Sequence, residues 1–374
     1  MAMISFVMGP YRGGGPRNVY TISRLLTKNG YDSNVLQFID PRKFNFLQNN
    51  SMDEDVLGAD VKTPGIVCTY SNLLFELIDK IPGFLSFPAV SYSILTRSAT
   101  IYQYASPDVF VATDWGSFYP TRLIAEKKRS GLLYFVQANE STFSNRILYK
   151  HLARTTYSKS VTRVTQSQWL KRYMDENFGG YNHYIGFGIN DQFFEKIERE
   201  IEKVLFTIAR VAADKGFDTF VKAINFLWAK RKDFKVIIAG EKKALDNEHI
   251  DFPFDFVGWI RDGRDLCHLY RSSIFVNSGK SEALPMPPLE AMACGSSVVI
   301  SDMPGIKEYA SDGKNCLISA NSDYISLANS IESLLDSDSL RNKLSLGAKE
   351  TAEKYRWDVV IRRFIDILNM EFGL

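Results

Sequence analysis

The sequence predicts an α/β protein built of two doubly wound units, each a parallel sheet covered by helices. Three observations predict it. Short apolar runs of strand length alternate along the chain with segments of helical periodicity, the mark of repeated βα units. The series runs once through the first half and starts afresh near residue 203. The length of 374 residues also suits two domains at roughly 100–200 residues each.

Ile4–Met8 is a short apolar run closed by Gly9-Pro10, and it reads as a buried strand. In the following GGGPRNVYTISRLLTKNGY, Val19, Ile22, Leu25 and Leu26 recur at helical spacing, and Gly30 suits the helix end. Asn34–Ile39 is the next strand. Strand, Gly-rich turn, helix and strand make a Rossmann-type unit. Pro107–Thr113, Leu132–Gln137 and Val161–Ser167 continue as buried parallel strands, the last leading into a helix over Gln168–Asn177. The second series has strands at Val204–Ile208, Phe234–Ala239, Phe254–Val257, Ser273–Asn277, Ser297–Ser301 and Asn315–Ile318. A helix over 288–294 and a long helical tail accompany them, and the turn-rich GFGINDQ at 186–192 marks the joint.

Composition excludes several classes. Hydrophobic residues are 45% and charged residues 24%, which is globular rather than disordered or fibrous. Lys and Arg total 45 against 43 Asp and Glu, a net of +2, which argues against a dedicated nucleic-acid binder. The sum conceals a division. Residues 1–190 hold 20 basic and 14 acidic residues, a net of +6; residues 191–374 hold 25 and 29, a net of −4. Residues 122–172 carry 11 basic residues against Glu126 and Glu140, interleaved with Tyr134, Phe135, Phe143, Tyr149, Tyr157 and Trp169. This segment is either a solvated basic surface or a face toward anionic lipid or an anionic acceptor. Cys68, Cys267, Cys294 and Cys316 form no CxxC pair, so a zinc knuckle is not expected, and a reducing compartment fits. The N-terminus lacks a signal-peptide pattern, and no run reaches the ~20 apolar residues of a membrane span. The longest, 84–95, carries Pro and Ser. The expectation is a cytoplasmic protein, peripheral on the inner membrane face if the basic segment meets lipid.

Three places carry chemistry. Gly13, Gly14 and Gly15 follow the first strand and precede the first helix. They serve either a tight turn or a close backbone approach to an anion at a helix N-terminus. Arg210 lies just past the strand edge where open α/β sheets bind ligands, and Lys215 sits at the next helix start, where the dipole disfavours a cation. Two cations there are explained by a diphosphate. The third place is SGKSEALPMPPLEAMACGSSVVIS, in which Glu282 and Glu290 are eight apart. Pro285, Pro287 and Pro288 give a rigid approach to a helix that Gly295 ends. Glu290, expected at the helix start, suits ribose hydroxyls. Glu282 suits sugar hydroxyls, and the backbone of Leu284, Pro285 and Met286 suits phosphate or sugar.

These residues resemble the family 4 retaining glycosyltransferases, which have the GT-B fold of two Rossmann-like domains facing a central cleft. The paired glutamates with PPLEAMACG carry the likeness. ARVAADKG, IAGE at 238–241, FVGWI at 256–260 and SDMPGIKEYASDGKNCLI at 301–318 agree in order. LLYFVQANESTF followed by TRVTQSQWL is similar to a rhamnosyltransferase-like subgroup.

The resemblance implies an acceptor domain over 1–188, a donor domain over 189–354 and a helix over 355–374 that crosses back to the first domain. It implies transfer of a hexose-type sugar, with retention and without a metal or cofactor. The donor would be a UDP, GDP or dTDP sugar, and the acceptor a glycan or lipid-linked molecule. Arg210, Lys215 and Glu282 would be catalytic. Gly13, Gly14, Gly15, Ile260, Ala283, Leu284, Pro285, Met286 and Glu290 would bind donor. Where many members carry a His after a first-domain strand, this chain has Gln137-Ala138-Asn139-Glu140, and Asn139 or Glu140 takes the place as an acceptor or sugar contact. Ala283 and Pro285 replace glycines common in the family. The other readings are a binding-only relative of this fold and a sugar-nucleotide epimerase using Glu140 and Asp114.

Overall fold

The computed structural model describes residues 1–9, 14–39, 66–68, 86–142, 147–157, 160–195, 203–260, 262–282 and 284–374. Gly13, Ala283 and Phe143 lie outside the described residues. The chain divides into two compact units, one of Met1–Gly186 with Val360–Leu374, the other of Phe187–Val359.

In the first unit, the described elements are β1 (Met3–Met8), α1 (Gly14–Lys28), β2 (Asp32–Ile39), β3 (Ile66–Cys68), α2 (Ser86–Tyr104), β4 (Val109–Ala112) and α3 (Trp115–Lys128). They continue through β5 (Gly131–Val136), α4 (Ile147–Thr155), β6 (Thr162–Thr165), α5 (Gln168–Phe178) and β7 (Asn182–Tyr184). The sheet order is β3-β2-β1-β4-β5-β6-β7, parallel throughout. The second unit contains β8 (Val204–Ala209), α6 (Phe217–Lys230), β9 (Lys235–Gly240), β10 (Asp255–Gly258), α7 (Gly263–Arg271) and β11 (Ile274–Asn277). It continues through α8 (Met286–Cys294), β12 (Ser297–Ser301), β13 (Leu317–Ser319), α9 (Tyr324–Asp336) and α10 (Asp338–Glu353). Its sheet order is β10-β9-β8-β11-β12-β13, again parallel. α11 (Trp357–Phe372) begins in the second unit and joins the first from Val360, where Phe364 stacks on Phe6 at 6.0 Å.

Both sheets follow the doubly wound order that the βα alternation predicts. The strands read as unbroken apolar runs because both faces are covered. Leu205 and Phe206 are adjacent, point to opposite faces, and enter two separate cores. Val299 and Ile300 do the same.

Two kinds of element escaped the apolar pattern. β3 and β7 are three-residue strands at the sheet edges, too short for periodicity to register. Residues 84–95 read as a short apolar run, yet Ser86–Tyr104 is a helix. Pro88 falls in its first turn, where the missing N–H has no intrahelical partner to lose. Within the second unit, the thiols of Cys267 and Cys294 are buried and free, with Sγ atoms 2.9 Å apart.

The basic segment is less uniformly exposed than its sequence suggests. Arg163 is fully buried in β6. Its Nε donates to Asn182 Oδ1 at 2.6 Å, Nη1 to the Tyr157 carbonyl at 2.6 Å, and Nη2 to the Gly179 carbonyl. Lys128 Nζ donates to the carbonyls of Tyr102 (2.8 Å) and Ala105 at the end of α2. Lys150, Arg154 and Arg172 remain exposed.

Arg163 ties the edge strand β7 to β6, so Arg163→Leu takes the donor from the Tyr157 carbonyl and from Asn182 Oδ1, and leaves the Gly179 carbonyl with Asn182 Nδ2 at 3.2 Å. The expected cost is about 3 kcal/mol of unfolding free energy by urea titration, with little recovered by Arg163→Lys, whose single ammonium cannot match three directions. A loss below about 0.5 kcal/mol, the range of ordinary surface changes, contradicts this role.

Candidate functional site

Doubly wound sheets meet ligands at the carboxyl ends of their strands, where strand order reverses. In the second unit that point lies between β8 and β11. After β8 the chain passes Arg210 and makes a 3-10 turn over Ala213–Lys215, and then Gly216 adopts φ +67°. Any side chain at Gly216 would meet the Ser278 carbonyl oxygen, since a Cβ there would lie 1.9 Å from it. The loop after β11 returns the contact. Ser278 Oγ donates to the Gly216 carbonyl at 2.8 Å, and the Lys280 N–H donates to the Asp214 carbonyl at 2.7 Å.

This closure brings Lys215 to Glu282. Lys215 Nζ lies 2.8 Å from Glu282 Oε2 and 3.9 Å from Asp214 Oδ2. Gly279 makes room for the carboxylate, because a Cβ there would be 2.9 Å from Glu282 Oε1. Arg210 is held differently. Its guanidinium carbon lies 4.2 Å from the centre of the Trp259 ring, and Nη1 lies 3.9 Å from Glu241 Oε1. Both contacts leave its N–H groups without a hydrogen bond to any described residue.

α8 begins at Met286, with Pro285 at its N-cap. Glu290 therefore sits in the second turn rather than at the helix start, because Met286 and Pro287 already have helical geometry. Its Oε2 accepts from the Tyr270 hydroxyl of α7 at 3.4 Å. Burial, then the charge of Glu290, pushes the Tyr270 hydroxyl well above its ordinary value, so it stays a neutral donor. Pro287 and Pro288 remove two of the first-turn N–H groups, leaving that of Met286 at the helix tip. The Tyr309 hydroxyl fixes the approach by donating to the Pro285 carbonyl at 2.9 Å. The Leu284, Met286 and Ile260 side chains pack against the core, so what Leu284 and Met286 offer a ligand is backbone.

In the first unit the reversal lies between β1 and β4. Gly14 and Gly15 open α1, which follows β1. Asp114, after β4, accepts the Gly9 N–H at 2.8 Å and caps α3 by accepting the Ser117 N–H at 2.9 Å. Glu140 is buried. Its Oε2 accepts the Trp115 N–H at 2.7 Å and the Tyr134 hydroxyl at 2.9 Å. Burial first, then the Asp114 charge, pushes its carboxyl up to about 8. The carboxyl is thus committed to the interior, which does not suit the expected direct sugar contact. Asn139 is half-buried, and its Oδ1 accepts from Ser141 Oγ at 2.7 Å.

The structure therefore gathers Arg210, Lys215, Glu282 and Glu290 around the strand ends of one unit, with Gly14, Gly15, Asn139 and Glu140 at the strand ends of the other. Sequence reasoning missed Tyr270, Trp259 and Glu241. The last two stand in the quoted segments FVGWI and IAGE, but nothing local marks them as neighbours of Arg210. Among the described residues no group of three or more His, Cys, Asp or Glu side chains is placed to hold a metal ion. No helix of the described residues is long and apolar enough to cross a membrane.

Residues 189–351 match the family model described as glycosyl transferases group 1. A relative is N,N'-diacetylbacillosaminyl-diphospho-undecaprenol alpha-1,3-N-acetylgalactosaminyltransferase of Campylobacter jejuni, 25% identical over 186 residues, 49% of each chain. Another is phosphatidyl-myo-inositol mannosyltransferase of Mycolicibacterium smegmatis, 24% identical over 239 residues, 60% of this chain and 61% of the relative. The chain thus spans 49% and 61% of these relatives' lengths. Among solved structures, sucrose-phosphate synthase from Thermosynechococcus elongatus aligns with TM-score 0.72 at 16% identity over 100% of both chains. Anabaena HepE in complex with UDP aligns with TM-score 0.73 at 14% identity, over 99% of this chain and 100% of that one. These likenesses show the fold.

The Glu140 carboxyl sets a pH dependence of stability. Its folded value of about 8 lies above the ordinary 4.5. Between those values the folded state keeps a proton that the unfolded state has lost, so stability is full below the window, falls as pH rises through it, and levels above. Glu140→Gln stays neutral. Its thermal midpoint is expected to match wild type near about pH 5 and to exceed it near about pH 9. Parallel curves across that range contradict the protonated carboxyl.

Proposed function

We propose, from the match of residues 189–351 to the glycosyl transferases group 1 model, that the chain is a retaining glycosyltransferase, moving a hexose-type sugar from a nucleoside diphosphate to a glycan or lipid-linked acceptor. The observation that carries the reading is the Lys215–Glu282 pair at the same sheet reversal as an Arg210 guanidinium that donates no hydrogen bond to a described residue. Breaking the bond from the anomeric carbon to the diphosphate oxygen leaves negative charge on the diphosphate. Cations fixed in place beforehand stabilise that charge as it develops. Arg210 brings a planar set of open N–H donors. Lys215 brings three donors, so it can keep its bond to Glu282 and still address a phosphate oxygen.

In this reading Glu282 orients the sugar through its hydroxyls, and Glu290, steadied by Tyr270, takes the ribose. Ile260, after β10, lies toward the base, and the backbone of Leu284 and Met286 lies toward phosphate. The two cations take the charge-neutralising task a divalent metal has in other transferases. The first unit takes the acceptor, with Asn139 as a polar contact. The chemistry of the relatives supports a lipid-linked or glycan acceptor: one is named for a diphospho-undecaprenol substrate and another for phosphatidyl-myo-inositol. A basic surface on the acceptor-binding unit suits such molecules at an anionic membrane, on the cytoplasmic side.

Lys215→Ala and Glu282→Ala are each expected to lower transfer by about 10²- to 10³-fold, the loss seen when a transition-state charge partner is removed. Their unfolding midpoints should stay near wild type, because the pair keeps access to solvent, 33% for Lys215 and 15% for Glu282, and contributes about 1 kcal/mol. Transfer should persist in excess chelator. Undiminished turnover in both variants contradicts the site, and loss of turnover in chelator contradicts the metal-independent mechanism.

The exposed Lys150, Arg154 and Arg172, with Trp169 beside them 52% exposed, predict sedimentation with vesicles containing anionic lipid, weakening as salt rises. Equal sedimentation with neutral vesicles contradicts an electrostatic surface.

A further inference from the structure

We infer that Glu241 and Trp259 are positioning residues that hold the Arg210 guanidinium ready for the donor diphosphate; this rests on the reading that the second unit binds a nucleoside diphosphate sugar. Three adjacent strands, β8, β9 and β10, end side by side. Arg210 follows the first, Glu241 the second and Trp259 the third. Arginine is long and flexible, and ordering it costs conformational entropy that a binding site avoids when the protein has already fixed the group.

Trp259 and Glu241 supply that order. The Trp259 ring faces the guanidinium at 4.2 Å although it is itself 53% exposed, so packing of the core does not explain its place. Glu241 is tied to the loop that carries Arg210. Its Oε2 accepts the Val211 N–H at 2.9 Å, and its own N–H donates to the Ala209 carbonyl at 3.0 Å. Gly240 allows this approach: at φ +106°, a Cβ there would lie 2.2 Å from the Ala209 oxygen.

Both contacts hold the cation without using its donors. The ring offers a π face, and the carboxylate at 3.9 Å stands beyond hydrogen-bond distance. The buried arginines of this chain behave in the opposite way. Among the described residues, Arg97, Arg163, Arg271 and Arg341 are buried, and all donate to backbone carbonyls and so serve the fold. Arg210 is oriented on two sides and keeps its N–H groups for a ligand, and two phosphates in series suit that planar fork.

The test measures dissociation constants of UDP, GDP, ADP and dTDP, and of the parent nucleoside of whichever binds, on the full chain. The variants are Trp259→Ala, Trp259→Phe, Glu241→Gln, Arg210→Ala and the double Trp259→Ala/Arg210→Ala. Glu241→Gln keeps an oxygen for the Val211 N–H while removing the charge. Trp259→Ala should weaken the diphosphate about 3- to 10-fold, the range of a partly exposed cation–π contact, and Glu241→Gln about 2- to 5-fold, the range of an exposed ion pair, each leaving the nucleoside unchanged. Trp259→Phe should recover most of the loss, and Trp259→Ala should have no further effect in the Arg210→Ala background. Equal weakening of nucleoside and diphosphate, or additive losses in the double variant, overturns the positioning role while leaving donor binding intact. No binding of any of the four diphosphates overturns the donor-site reading itself, and this inference with it.

Discussion

The contact between the loop after β8 and the loop after β11 is the constraint on which the candidate site depends. Gly216 lies so close to the Ser278 carbonyl that no side chain fits, and the Lys280 N–H fastens the other side to the Asp214 carbonyl. That approach places Lys215 immediately before α6, at the positive end of the helix dipole. A cation there is disfavoured by about 0.3–1 kcal/mol. Glu282 at 2.8 Å offsets the penalty, and it reaches Lys215 because Gly279 leaves its carboxylate room. Glycines that look like loop punctuation are therefore what bring a cation and a carboxylate from separate strands together.

The two cations are prepared in different ways. Lys215 is held by an ion pair, whereas Arg210 is held by a ring face and a carboxylate that leave its donors open. α8 adds little anion-binding capacity of its own, since Pro287 and Pro288 lack N–H groups in the turn where a helix usually offers them. The positive potential at this strand edge accordingly falls on side chains. Glu290 and Tyr270 take a further place, with Glu290 two residues deeper in the helix than the run of prolines suggests.

Most of the fold was legible because buried parallel strands announce themselves. Val204–Ala209 and Ser297–Ser301 are apolar on both faces, and each matches its expected span within a residue. β3 and β7 were not legible. They are three residues long, and β7 owes its place to the buried Arg163–Asn182 bond rather than to its own pattern. At the site, residue types were readable where chemistry demands them: cations, prolines and paired glutamates. Partnerships were not. Lys215 and Glu282 are 67 positions apart, and the Trp259–Arg210 contact exists because neighbouring strands end together. Glu140 shows the same limit. Its place after an apolar strand suggested a cleft-facing group, but Trp115 and Tyr134 draw the carboxyl into the interior.

In the proposed function, the strand ends of the second unit bind a nucleoside diphosphate sugar through its phosphates. The most direct measurement is the thermal midpoint of the full chain with UDP-, GDP-, ADP- and dTDP-sugars, each beside its phosphate-free nucleoside. A ligand of the folded state raises the midpoint by mass action. At least one sugar nucleotide is expected to raise it while the matching nucleoside does so far less. No shift with any of the four, or equal shifts with nucleoside and sugar nucleotide, would contradict that binding.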